Sequence, residues 1–223
     1  MVWGRPRVSK MKGRFITFEG TEGSGKSTHV SLLAEQIRAL GRTARLLREP
    51  GGTSIGEEIR HTLKHSAANH AMTAEAELLL MNASRAQLVR EVIRPALSTG
   101  EIVLCDRFYD STTAYQGYGR GLDLKTVQAV IDFAVGETRP DLTLLLHIPP
   151  DLSETRRHLR RSRLPAERDR MEEADRRFFE RVSNGYQKIA DAEPGRIKLI
   201  DATGNVESVS AAIWKEVSPL LGR

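Results

Sequence analysis

A chain of 223 residues, 39% apolar and carrying 34 Lys and Arg against 29 Asp and Glu, is long enough for one substantial α/β domain with a core of its own. It has no apolar run of membrane-spanning length, no apolar stretch of secretory type among its first residues, and one cysteine, Cys105, which cannot form an internal disulfide; a cytoplasmic protein is expected. The net charge of +5 fits a phosphate-bearing partner, but aromatics make up only 5% and the arginines are bunched, so neither a nucleic-acid nor a membrane partner is expected.

Residues 1–12 are basic and aperiodic, broken by Gly4 and Pro6, and read as a flexible extension ahead of a single domain over 13–223. Phe15 to Phe18 is a β-branched and aromatic run that predicts a first strand. It leads into Gly20-Thr21-Glu22-Gly23-Ser24-Gly25-Lys26-Ser27, which fits G-x-x-x-x-G-K-[ST] at every fixed position. Val30, Leu33, Ile37 and Leu40 then recur at helical spacing up to Gly41. A strand running into glycines that open a helix is the setting in which this pattern cradles phosphates: the glycines let successive N–H groups point inward, and the helix N-terminus adds partial positive charge. Gly20 through Ser27, with the adjoining Thr28, form the expected ATP site. Lys26 reaches the outer phosphates, and the Ser27 hydroxyl holds Mg²⁺.

Thr43 to Leu47 predicts a second strand, ending in the loop Arg48-Glu49-Pro50-Gly51-Gly52-Thr53. Ser54 and Glu57 have capping-box spacing, which starts a short helix near Ile55. Thr73 to Leu97 is helically periodic, with Glu75 and Glu77 suited to the positive end of its dipole and Pro95 set to bend or end it. Ile102 to Cys105 is a third, wholly apolar strand of the kind that parallel sheets cover on both faces. A helix over Leu124 to Val135, a strand over Leu142 to Ile148, an arginine cluster on or beside the next helix, a charged helix over Glu172 to Ala190, a fifth strand over Ile197 to Ile200 and a last helix over Val206 to Leu220 complete the chain. Strands alternating with helices predict an open α/β fold: a five-stranded parallel sheet flanked by helices on both faces, with ligands at the carboxyl ends of the strands.

Asp106, just after the third strand, occupies the place from which a phosphate-loop NTPase holds Mg²⁺ directly or through water. Arg107 follows it with a planar fork suited to phosphate. Arg156, Arg160 and Arg163 fall on one side of a helix at i, i+4 and i+7, and Arg157 and Arg161 lie among them; such a run is a solvated face unless other motifs give it a ligand.

Four motifs together resemble bacterial thymidylate kinase: Arg48-Glu49-Pro50-Gly51-Gly52-Thr53, Ala83-Ser84-Arg85-Ala86-Gln87, Asp106 to Gln116 with Gly117-Tyr118-Gly119-Arg120-Gly121, and Asp169-Arg170-Met171-Glu172. They cover the chain from about Phe15 to Gly204. The resemblance implies a phosphate-loop nucleotide kinase that transfers the γ-phosphoryl group of ATP to dTMP, giving dTDP for dTTP synthesis, with Mg²⁺ and as a homodimer. It implies that Arg48 and Arg107 bind the acceptor phosphate, that Arg85 faces the acceptor base, that Thr112, Tyr115 and Gln116 line the nucleoside pocket, and that Glu22 lies near the acceptor sugar and the reacting phosphates. Where most relatives have a phenylalanine that stacks on thymine, this chain has Met81, one helical turn from Arg85 and able to pack on a base through its polarizable sulfur.

In bacterial-type members a lid arginine reaches the transferred phosphoryl group, whereas eukaryotic-type members carry an arginine in the loop, where Gly23 stands here. The missing loop arginine and the arginine-rich lid, about residues 156–171, support each other, and Arg161 and Arg163 are the expected lid contacts. The expected catalytic set is therefore Lys26, Arg107, Glu22, Arg161 and Arg163. Two alternatives stay open: a kinase for a different nucleoside monophosphate, which Met81 keeps alive, and a phosphate-loop switch or nucleic-acid-associated ATPase, against which stands the second phosphate-binding pair of Arg48 and Arg107.

Overall fold

The structure is a computed structural model describing residues 13–163 and 175–222, without the side chains of 157 and 160–163. The extension expected over residues 1–12, the Asp169-Arg170-Met171-Glu172 motif and the side chains of Arg160, Arg161 and Arg163 lie outside the described residues.

Five parallel strands, β1 (Arg14–Glu19), β2 (Ala44–Arg48), β3 (Ile102–Asp106), β4 (Leu142–His147) and β5 (Ile197–Asp201), form one sheet in the order β2-β3-β1-β4-β5. The helices are α1 (Lys26–Ala39), α2 (Ser54–Lys64), α3 (Ala74–Leu88), α4 (Arg94–Ser98), α5 (Tyr109–Thr112), α6 (Leu124–Val135), α7 (Pro150–Arg163), α8 (Arg176–Ala192) and α9 (Val206–Val217).

Strand residues alternate between the two faces, and each face has its own apolar partners. Ile16, Phe18, Leu104 and Leu144 pack with Val30, Leu33 and Ile37 of α1 and with Val209, Ile213 and Val217 of α9. Phe15, Val103 and Cys105 pack on the other side with Leu78 and Leu88 of α3 and Val127 and Ile131 of α6. A third cluster joins Tyr115 and Leu145 to Phe178, Val182 and Tyr186 of α8.

Four details differ from the sequence expectation. β1, β2 and β3 each run one residue further, so that Glu19, Arg48 and Asp106 still belong to the ladder. The cap of α2 is Thr53, whose Oγ1 accepts from Gly56 N–H at 3.0 Å, while the Glu57 carboxylate turns back to Gly52 N–H at 2.7 Å; the box forms one residue out of register from Ser54. Pro95 neither ends nor sharply breaks its helix, because a π-helical turn over Val89–Ile93 widens the backbone just before it and α4 continues. Finally, α5 and the π-helical segment Thr113–Gly119 form helical structure that Thr112, Thr113, Gly117 and Gly119 disguise in the sequence.

Candidate active site

The carboxyl ends of β1, β2 and β3 carry the site. After β1, Gly20, Gly23 and Gly25 adopt φ of 133°, 78° and 88°, the left-handed region open to glycine, and α1 starts at Lys26. Lys26 is 7% exposed, and its ammonium donates to Gly20 O at 3.0 Å and Thr21 O at 2.8 Å. Burial, and then the neighbouring Arg107, push it down to about 8. The Ser27 hydroxyl donates to Asp106 Oδ2 at 2.6 Å, so the two expected Mg²⁺ ligands meet across α1 and β3. Two hard oxygens side by side suit Mg²⁺, which takes one or two protein oxygens and completes its shell with water and phosphate.

Two pockets adjoin here. One is lined by Gly23, Gly25, Lys26, Ser27, Thr28, Arg48 and Asp106. The other is lined by Met81, Arg85, Ser111, Thr112, Tyr115 and Gln116, an apolar wall with a few convergent polar groups of the kind that small-molecule sites use. Glu22, Glu49, Lys64 and Arg107 line both.

At the junction, Arg107 donates to Glu22 Oε1 at 2.8 Å and to Tyr115 Oη at 3.2 Å, and Tyr115 donates to Glu22 Oε2 at 2.7 Å. Burial alone would raise the Glu22 carboxyl, but Arg107 and Lys26, aided by the Tyr115 hydroxyl, bring it below its ordinary value. The arrangement gathers cations around a space suited to anions, with one carboxylate holding them in register. Such a site can bind a polyphosphate in one pocket and a smaller phosphorylated, ring-bearing molecule in the other.

A family model described as Thymidylate kinase matches residues 18–213. The chain is 48% identical over 208 residues to a thymidylate kinase of Chlorobium luteolum, covering 91% of this chain and 96% of that one. It is 47% identical over 211 residues to a thymidylate kinase of Pseudomonas syringae pv. tomato, covering 95% and 98%. The chain belongs to the thymidylate kinase family. In three dimensions it is similar to the crystal structure of thymidylate kinase from Ehrlichia chaffeensis, with a TM-score of 0.75 and 31% identity over 92% of this chain and 99% of that one.

In this thymidylate kinase family member the expected residues converge, with three qualifications. Arg85 lines the acceptor-side pocket, but its guanidinium is 2% exposed and engaged by Glu49 Oε2 at 2.8 Å, Asn82 Oδ1 and Thr112 Oγ1 at 2.9 Å each and Phe108 O at 3.1 Å. Thr112 is thus both a wall of the pocket and a partner of Arg85. Glu49 Oε1 is buried with no hydrogen-bond partner, and burial, opposed by Arg85, raises that carboxyl. Met81 lines the pocket and also packs on the cluster around Tyr115. Arg161 and Arg163 belong to α7, but their side chains are not among those described. Arg48 and Gln116 stand as expected at pocket walls; Gln116 Nε2 donates to the buried Glu77 at 2.8 Å, which leaves the amide oxygen as an acceptor.

Sequence reasoning missed three residues, Arg60, Lys64 and Ser153, and the contact that Arg156 makes. Arg60 and Lys64 line the phosphate-side pocket from α2, and their i, i+4 spacing was a usable signal. Arg156 donates to Gly23 O at 2.9 Å and Ser153 to Glu22 O at 2.7 Å, which seats the start of α7 on the phosphate loop; no local pattern announces that contact.

Proposed function

We propose that this protein transfers the γ-phosphoryl group of ATP to dTMP, giving dTDP and ADP, with the triphosphate over Gly20 to Thr28 and the acceptor beside Met81, Tyr115 and Gln116. The observation that carries this reading is the pair of pockets sharing Glu22 and Arg107, because a hydrolase or switch needs only the first.

Arg107 and Arg48 hold the acceptor phosphate where the pockets meet. Glu22 and Tyr115 orient Arg107. Lys26, on the loop's own carbonyls here, turns to the outer phosphates. The acceptor is already an anion, so no side chain needs to act as base, and positioning and cationic charge do most of the work. Mg²⁺, held by Ser27 and Asp106, supplies further neutralisation of phosphate charge when bound. Arg161 and Arg163 join the transferring phosphoryl group from a lid that excludes water on closing. Residues 13–223 act as one domain, and the protein works in the cytoplasm as a homodimer. Leu79 on α3 and Phe133 on α6, 58% and 84% exposed, give a second copy apolar surface to bury.

A second reading, a kinase for a different nucleoside monophosphate, is favoured by Met81, which offers the base less area than an aromatic ring. Steady-state transfer from ATP with Mg²⁺ to dTMP, dUMP, dCMP and dGMP separates the two. The highest kcat/KM is expected for dTMP; a higher value for any other acceptor overturns the assignment.

A further inference from the structure

Arg107 is the only described residue other than glycine with a left-handed backbone, at φ 72°. A conformation of that kind is strained in a residue with a Cβ and persists only where neighbours over-determine it. Its own N–H donates to Phe18 O at 2.9 Å. The next N–H, of Phe108, donates to Glu19 Oε1 at 2.8 Å. Glu19 is the last residue of β1 and is 0% exposed, and the phosphate-binding pattern that begins after it assigns it no part.

The second oxygen of Glu19 accepts from Ser111 Oγ at 2.5 Å and from Tyr186 Oη at 2.9 Å. Those same hydroxyl oxygens accept from Arg107 Nη1, at 3.0 Å and 3.2 Å. A guanidinium only donates, so both hydroxyls turn lone pairs to Arg107 and their hydrogens away from it, toward Glu19 or across the 2.8 Å that separates the two hydroxyls. The other arginine nitrogen is then left for Glu22 and the junction of the two pockets.

We infer that Glu19 is a positioning residue for the acceptor phosphate: it fixes Arg107 from behind, its backbone through Phe108 N–H and its guanidinium through Ser111 and Tyr186. The inference rests on the reading of Arg107 as the acceptor-phosphate ligand, and extends it to a buried carboxylate that never touches a nucleotide.

Glu19→Gln tests it. The amide is isosteric but has one donor and one acceptor end. If its oxygen keeps Phe108 N–H, its NH₂ faces Ser111 and Tyr186 and turns their hydrogens toward Arg107. The readout is calorimetric affinity for dTMP and for thymidine, which shares the nucleoside but lacks the phosphate. Glu19→Gln is expected to weaken dTMP by about tenfold or more, the scale of a lost charge-assisted bond, and to leave thymidine within about twofold. Loss of both ligands by the same factor, or of neither, overturns the inference.

Should Glu19→Gln fail to fold, the double variant Ser111→Ala with Tyr186→Phe keeps the carboxylate and removes the relay. It is expected to show the same selective loss of dTMP, and equal loss or none again overturns the inference. Failure of the underlying reading looks different: the unaltered protein would bind dTMP no better than thymidine.

Discussion

Arg85 is marked in the sequence by its motif, but its surroundings are not: of the groups that engage it, Asn82 alone lies at a helical spacing, while the others come from positions 49, 108 and 112, which no spacing rule links to it. Its side chain and that of Glu49 are 2% and 3% exposed. Replacing it with alanine leaves a buried carboxylate unpaired, which destabilises a fold by about 3–5 kcal/mol, so Arg85→Ala is expected to lower Tm by roughly 10 °C. The loss should shrink as pH falls, because protonating Glu49 removes the unpaired charge. A Tm unchanged by Arg85→Ala at neutral pH contradicts the structural role.

The place of Lys26 at the start of α1 was legible in the sequence, since the loop pattern names it. Its titration was not, because burial and the approach of Arg107 are tertiary facts. A lysine lowered to about 8 is already charged below that pH; above it, the native side chain is neutral while the unfolded one stays protonated. The burial penalty on stability is therefore present below pH 8 and relieved as pH rises past it. Triphosphate oxygens favour the ammonium and reverse the shift, so at a pH above 8 MgATP binding takes up a proton. Calorimetry in two buffers of different ionisation enthalpy measures this. Buffer-dependent heat is expected above pH 8 and should fade below pH 7; equal heats at both pH values contradict it.

Among the elements, the five strands and the helices over Leu124 to Val135 and after Lys26 were plain in the sequence, because their apolar spacing is regular and their ends carry glycine or charge. The one-residue extensions of β1, β2 and β3 were not. A charged residue at a strand end reads as a loop until pairing with its neighbour keeps it in the ladder, and those extra residues, Glu19, Arg48 and Asp106, carry the site. The helix over Tyr109 to Gly119 was hidden by poor helix formers that its packing on α8 overrides.

The seat of α7 on the phosphate loop is likewise a matter of elements meeting. A Cβ on Gly23 would lie 2.8 Å from Arg156 Cβ, at a backbone φ of +78°. Gly23→Ala is expected to cost about 1–2 kcal/mol at that loop and to raise the KM for ATP by several-fold, with the KM for dTMP moving less. A larger change for dTMP than for ATP argues that α7 docks for the acceptor instead.

Across the whole molecule, the sheet order places β1 at the centre with β3 and β4 on either side, so that the crossover from β1 to β2 runs toward one edge and that from β3 to β4 toward the other. The loop after β1 sits at that divergence, the position where open α/β sheets bind ligands. Fold class was readable because strand and helix alternate so regularly. That Glu22 and Arg107, 85 residues apart in sequence, join two pockets into one site was readable only through the resemblance of the motifs. The net charge of +5 follows the same logic, since both proposed ligands and the product are polyanions.

If the two pockets are halves of one site, ATP cleavage must wait for an acceptor. Release of ADP by the wild-type protein, followed with MgATP alone and then with dTMP added, measures this directly. Very slow ADP release without dTMP is expected, rising by orders of magnitude with it and matched mole for mole by dTDP; comparable ADP release in the absence of any acceptor would contradict a two-nucleotide site.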